Sequence, residues 1–251
     1  DYLRRGRTDR SLELTTTPVD ELDPHEKDEI LASFFDADWH NQIFPHPRYK
    51  ELFQARQDGR SFDTQDLRDL QMWFNLAWFA ADFRSGPVEL VTGETVRIHR
   101  YVEKGEGFEE GEIGEMVEDQ YRVMRAVVPI HRSLQEEGRL EVSTTPFYHP
   151  ILPLLIDTDR ATVDRPGARL PERFSYPADA RDQVRRARED YERRFGRPSD
   201  GMWPAEGAVS PEAARVIGEG AARWVATDQG VLERSGRWGY EVDDPDVLYR
   251  P

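Results

Sequence analysis

DGMWPAEGAVSPEAARVIGEGAARWVATDQGVL, residues 200–232, is the stretch on which the fold turns. DGMWPAE reads as a strand running into a loop. SPEAARVIGEGA, 210–221, reads as a helix with Ser210 as N-cap and Pro211 at its first position. RWVATDQGVL, 223–232, reads as a strand with a loop at its carboxyl end. Upstream, RLEVSTTP at 139–146 is rich in β-formers and breaks at Pro146, and ILPLLID at 151–157 is apolar. A Pro- and Arg-rich loop covers 158–177, and ADARDQVRRAREDYERRFG at 178–196 is a charged amphipathic helix ending at Gly196. The order strand, helix, strand, helix, strand predicts a parallel β/α architecture. Such folds collect their chemistry in loops at the carboxyl ends of strands. Three polar clusters fall there, at 144–149, 203–207 and 227–229.

The residues before this block read differently. PHEKDEILASFF (24–35), PRYKELFQARQ (47–57) and DTQDLRDLQMWFNLAWF (63–79) have the spacing of amphipathic helices. Pro24 stands near the start of the first, and Asp63 or Thr64 caps the third. Trp73, Phe74, Trp78 and Phe79 are expected in the core. A polar, Gly-containing stretch at 84–107 precedes a long helix at about 109–137, closed by Gly138. The expected organisation is a helical segment, 1–137, followed by a β/α segment, 138–251.

Composition narrows the partners. The chain has 251 residues, no cysteine and a net charge of −15. That length supports a sizeable core without disulfides. The missing cysteines exclude disulfides and thiolate–metal sites and suit a reducing compartment, so a cytoplasmic location is expected. An acidic surface repels nucleic acid and anionic membranes, so neither is expected as a partner. Basic residues are almost all arginine, the only lysines being Lys27, Lys50 and Lys104. Adaptation to high salt and a GC-rich genome account for that bias equally well. The most apolar run, MWFNLAWFAADF at 72–83, is well short of the roughly 20 residues that cross a bilayer. DYLRRGRTDR at the start is not a signal peptide, and DDPDVLYRP near the end carries no capped element. Without an initiator Met, both ends are expected to be cut from a longer chain.

Each polar cluster admits two readings. In EVSTTPFYHPILPLL, 141–155, three prolines stiffen a loop bearing Tyr148 and His149. The pair either holds a polar ligand or simply faces solvent in a turn. In GMWPAEGAVS, Glu206 sits between Trp203 and small residues. A carboxylate beside an indole and an open space suits attack on an anomeric carbon. The same charge also favours the N-terminus of the helix that follows. Asp228, in WVATDQGVL, is an acid partner, a hydrogen-bonder to sugar hydroxyls or a turn former before Gly230. The six histidines show no paired metal-ligand spacing, so no metal or other cofactor is expected. EKGEGFEEGE at 103–112 is acidic and would repel phosphate.

Taken together, these loops resemble glycoside hydrolase family 57, the family of α-amylases, amylopullulanases and glucan-branching enzymes, and most closely its amylopullulanase-like branch. EGRLEVSTTPFYHPILPLL (137–155) resembles the family's second conserved region, with Arg139 where Gln is usual and His149 where other branches carry Glu. GMWPAEGAVS resembles the third region, and WVATDQGVL the strand after it. DADWHNQIFPHPRYKEL and DTQDLRDLQMWFNLAWF are similar to helical segments of the same branch. The resemblance implies an incomplete (β/α)7 barrel with helical insertions. It implies retaining chemistry on α-glucans by two carboxylates, with Glu206 as nucleophile. Trp203, His149, Tyr148, Asp228, Glu141 and Trp39 are the implied substrate contacts. Two family segments do not occur in the 251 residues: the His-x-His-Gln-Pro strand and the Asp-Gly-Glu segment that carries the acid/base. The chain is therefore expected to hold a nucleophile without its acid and to have little activity alone. The competing expectations are a glucan-binding barrel without chemistry and a metal-dependent polysaccharide deacetylase. The latter needs a His/Asp triad whose spacing no His pair here shows.

Overall fold

The computed structural model describes residues 8–234. The charged start at 1–7 and the stretch 235–251, expected to lack a capped element, lie outside the described residues. The chain divides into two compact units, Asp1–Ile130 and His131–Pro251.

The first unit is mainly helical: α1 (Arg10–Thr16), α2 (Pro24–Ser33), a π-helical turn (Trp39–Ile43), α3 (Pro47–Gln57), α4 (Thr64–Leu76) and α5 (Ala81–Ser85). A small antiparallel pair follows, β1 (Val88–Glu89) with β2 (Thr95–Val96), then α6 (His99–Lys104) and α7 (Glu110–Glu136), whose last turns run past Ile130. Caps explain where the helices begin. Asp23 accepts from Glu26 N at 2.8 Å while Glu26 accepts from Asp23 N at 3.0 Å, a reciprocal pair that satisfies two otherwise free donors. Asp63 and Asp66 make the same exchange at the start of α4. The apolar faces close on a core led by Trp73, Tyr49, Tyr101 and Phe34. Polar tips inside it are partnered: Trp73 Nε1 donates to Gly105 O at 2.7 Å and Tyr49 OH to Phe34 O at 2.6 Å.

Three expectations for this unit change. The polar stretch 84–107 holds β1, β2 and α6. A short helix, α1, precedes those anticipated. Trp78 is not core: it is 61 % exposed, whereas Trp73 is 1 % exposed and Phe79 is also buried. The helix ends at Leu76, so the turn through Ala77 takes Trp78 off the buried face that continued periodicity would have given it.

The second unit contains α8 (Leu152–Ile156), a 3-10 turn (Thr158–Arg160), α9 (Ala161–Asp164), α10 (Pro177–Phe195), β3 (Gly201–Met202), a 3-10 turn (Ala205–Gly207), α11 (Pro211–Glu219), β4 (Trp224–Val225) and α12 (Gln229–Arg234). β3 and β4 pair in parallel, Gly201 opposite Trp224 and Met202 opposite Val225. Thr144 makes a parallel bridge to Met202 on the other side. The expected parallel β/α order is present, with α10 and α11 as the connecting helices. The segments at 139–146 and 223–232 are much less regular than expected: one bridge residue in the first, and two strand residues followed by α12 in the second. Prolines account for part of this. Pro146 and Pro204 each lie two residues beyond the ladder and have no N–H to extend it. Among the described residues the strands do not close into a barrel.

Leu152, Ile156, Ala180, Val184, Met202, Val216 and Ile217 form this unit's core, packing α8, α10 and α11 around the β3 strand. Gly201 permits the close approach of β4, because a Cβ there would lie 2.0 Å from the Trp224 ring. Tyr191 on α10 donates to Val142 O at 2.8 Å and so ties the helix to the strand segment before Thr144. Among the described residues, no helix is long and apolar enough to cross a membrane.

Candidate active site

The parallel pairing brings the three polar clusters to one edge. Thr144 N donates to Gly201 O at 3.2 Å, Trp203 N to Thr144 O at 2.7 Å and Ala226 N to Met202 O at 3.2 Å. All three segments therefore run the same way, and the chain leaves each ladder position at its carboxyl end.

Glu206 sits on the tight turn after β3. Gly207 N donates to Pro204 O at 2.9 Å and Ala208 N to Ala205 O at 3.1 Å. Ala205 and Gly207 are buried on either side, so the peptide is anchored while the Glu206 side chain is 69 % exposed. Its backbone is left-handed, with φ 57° and ψ 20°. A residue with a Cβ holds that conformation at a cost of roughly 1–2 kcal/mol, and such strain concentrates at functional sites. Gly207 continues the turn at φ +65°. Two contacts fix it: Thr227 Oγ1 donates to Gly207 O at 2.8 Å, and the Trp203 ring covers Gly207 so closely that a Cβ would lie 3.3 Å from it.

His149 faces Glu206 from the neighbouring loop, its Nδ1 3.7 Å from Glu206 Oε1. His149 is also left-handed, φ 56°, in a turn closed by its own N–H to Pro146 O at 2.8 Å. Gln183 on α10 anchors the loop, accepting from Tyr148 N at 2.8 Å through Oε1 and from Phe147 N at 3.2 Å through its carbonyl. The Tyr148 ring is exposed, edge-on to Phe147 at 4.8 Å. Asp228 follows β4; its Oδ1 accepts from Gly230 N at 2.7 Å, the bond of a turn former opening α12.

The structure thus gathers Glu206, Trp203, His149, Tyr148 and Asp228 on loops of one edge. Glu141 lies three residues before the Thr144 bridge, toward the amino ends of the strands, and accepts from Trp224 Nε1 at 2.8 Å. Trp39 belongs to the first unit, where its ring lies 5.1 Å from Phe53. Thr227 falls in the 227–229 cluster without a role of its own, and Gln183 falls in no cluster. Their partners carry no local signal, since Thr227 acts on Gly207 and Gln183 on Tyr148, each distant in sequence.

Parallel β/α units with polar loops at the carboxyl edge define an α/β protein of the kind that places its chemistry at strand ends. The chain belongs to glycosyl hydrolase family 57, whose family model matches residues 24–250. No curated protein and no solved structure matches it. Membership agrees with the motif resemblance and makes glycoside hydrolysis the general chemistry of this family's chains.

Proposed function

We propose that the chain is the nucleophile-bearing part of a retaining enzyme acting on α-glucans, with Glu206 as the nucleophile. The observation that carries this reading is the Glu206 turn: a carboxylate on a strained, clamped backbone at the carboxyl edge, beside Trp203 and His149. In the reaction a Glu206 oxygen forms a bond to the anomeric carbon. The glycosidic bond breaks, and its electron pair leaves with the departing oxygen, which takes a proton from an acid. Water, giving a proton back to the conjugate base of that acid, then bonds to C1 while the C1–O bond of the glycosyl ester breaks and its electron pair returns to the Glu206 carboxylate. Trp203 and Tyr148 offer aromatic faces to sugar rings, and His149 and Asp228 offer polar groups to hydroxyls. The fold in this reading is an incomplete (β/α)7 barrel, with 1–137 as helical insertion and 138–251 as the barrel segment carrying the loops. The Asp-Gly-Glu context of the family's acid does not occur among the 251 residues.

A donor with an activated leaving group tests the nucleophile without needing the acid. With 5-fluoro-α-glucosyl fluoride, Glu206 attacks C1 and the C–F bond breaks with fluoride carrying off the electron pair. Mass spectrometry of the intact chain is expected to show one added sugar, mapped by peptide digestion to Glu206, and none in Glu206→Gln. Label on another residue, or equal labelling of the variant, would remove Glu206 from the role.

A further inference from the structure

A cavity of about 480 Å³ lies within the second unit. Small-molecule sites are commonly of this size, roughly 300–1,000 Å³. Its walls are mainly apolar: Ile151 and Leu154 at α8, Val163 on α9, Ala208 and Val209 after the Glu206 turn, and Val231 on α12. Val163 is 70 % exposed, so a hydrocarbon side chain of this wall stands in water. Two of the walls leave directly from the carboxyl edge. Ala208 is two residues beyond Glu206, and Ile151 is two beyond His149. Residues two apart have Cα atoms within about 7 Å of each other. The cavity therefore borders both the Glu206 turn and the His149 loop. Ala208 N donates to Ala205 O across that turn, so one bond holds this wall and the nucleophile's backbone together.

The polar groups of the cavity narrow what fits. Arg160 is paired with Glu212, and Ser210 Oγ accepts from Ala213 N at 3.1 Å as the cap of α11. Asp164 and Arg165 are exposed. A sugar in this space would set hydroxyls against carbon walls without partners, which is costly. An aryl or branched hydrocarbon group covers the same walls, Val163 included, without that loss. We propose that the cavity receives an apolar aglycone, the leaving group of an α-glucoside of an aryl or hydrocarbon alcohol whose sugar Glu206 attacks. The proposal rests on Glu206 as nucleophile and adds such glucosides to the glucans as donors.

Two donors whose leaving groups need no acid separate the cavity from the nucleophile. 5-Fluoro-α-glucosyl fluoride has no aglycone. With 4-nitrophenyl α-glucoside, a Glu206 oxygen bonds to C1 while the C1–O bond breaks and its electron pair leaves on 4-nitrophenolate. First-turnover release of 4-nitrophenolate and labelling by the fluoride are measured in wild type, in Val163→Glu, which puts a charge on the wall at an exposed position, and in Ala161→Phe, which fills the space. Calorimetry compares binding of 4-nitrophenyl and methyl α-glucoside to Glu206→Gln, which does not attack, with and without Val163→Glu. The aryl glucoside is expected to bind about tenfold more tightly than the methyl glucoside, and each cavity variant to slow nitrophenolate release about tenfold, the scale of one apolar group's burial. Fluoride labelling is expected to stay near wild type. Nitrophenolate release untouched by both variants, equal slowing of both donors, or equal binding of the two glucosides would overturn the proposal. Wild type that the fluoride does not label would fail the nucleophile instead. The aryl preference, and its loss with Val163→Glu, would then still decide whether the cavity holds an apolar group.

Discussion

Glu206 owes its place to neighbours that fix the turn beneath it. Gly207 adopts a left-handed backbone beneath the Trp203 ring, and Thr227 holds its carbonyl. A methyl group at residue 207 would meet both a strained φ and the indole. Gly207→Ala is expected to slow labelling of Glu206 by a factor on the order of ten to a hundred, the scale of small misplacements at a reacting group. Thr227→Val removes the hydroxyl and leaves the carbonyl without its donor. It is expected to slow labelling on the order of fivefold to tenfold, as for loss of one neutral hydrogen bond, while Thr227→Ser stays near wild type. Equal rates for Val and Ser would show that the hydroxyl does not position the turn. The motif made Glu206 legible in the sequence. The clamp was not, because Thr227 and Gly207 are separated by a whole helix.

Between elements, buried charge does the joining in the first unit. Arg48 on α3 meets Asp66 and Asp69 on α4, each at 2.8 Å, and both carboxylates are buried. Burial works against the Arg48 charge, but hydrogen bonds to Asp69, Glu51 and Asp66 outweigh it and hold the guanidinium proton more tightly than usual. Arg48→Met takes away the closest cation from two buried carboxylates, leaving Asp69 with the neutral donors Gln65 Nε2 and Phe108 N, and is expected to cost about 3 kcal/mol in urea unfolding. A loss below about 1 kcal/mol would mean that water reaches the pair. His46 stacks 4.5 Å from Trp73, and Arg84 Nη1 lies 2.9 Å from its Nε2. Burial first, and then the Arg84 charge, lower its affinity for a proton. The unfolded chain therefore binds the proton more readily than the folded one, so stability falls as pH drops below the ordinary histidine value of about 6.5. Melting temperature measured from pH 8 to 5 is expected to decline across that window and to decline less in His46→Gln. Identical slopes would assign the acid sensitivity to other groups.

At the scale of the molecule, the family match runs through both units, from 24 to 250. The carboxyl edge holds Glu206, the proposed nucleophile, and the Asp228 carboxylate accepts a hydrogen bond within its own turn. The chain is expected to turn over starch or pullulan negligibly while still accepting the activated donor, as measured by reducing-sugar release. Normal hydrolysis that Glu206→Gln abolishes would instead make Asp228 the acid. The sequence by itself determined the starts of the longer helices, the alternation of the second unit, the family and the identity of the candidate nucleophile. These rest on caps, periodicity and motifs, each complete within a few neighbouring residues. Only the tertiary structure decided that Thr144, β3 and β4 lie side by side, that Glu141 serves Trp224 instead of the carboxyl edge, and that Trp78 faces water. It also decided the left-handed backbones of Glu206 and His149. Strand register and the exact end of a helix depend on contacts between residues tens of positions apart, and no local signal encodes them.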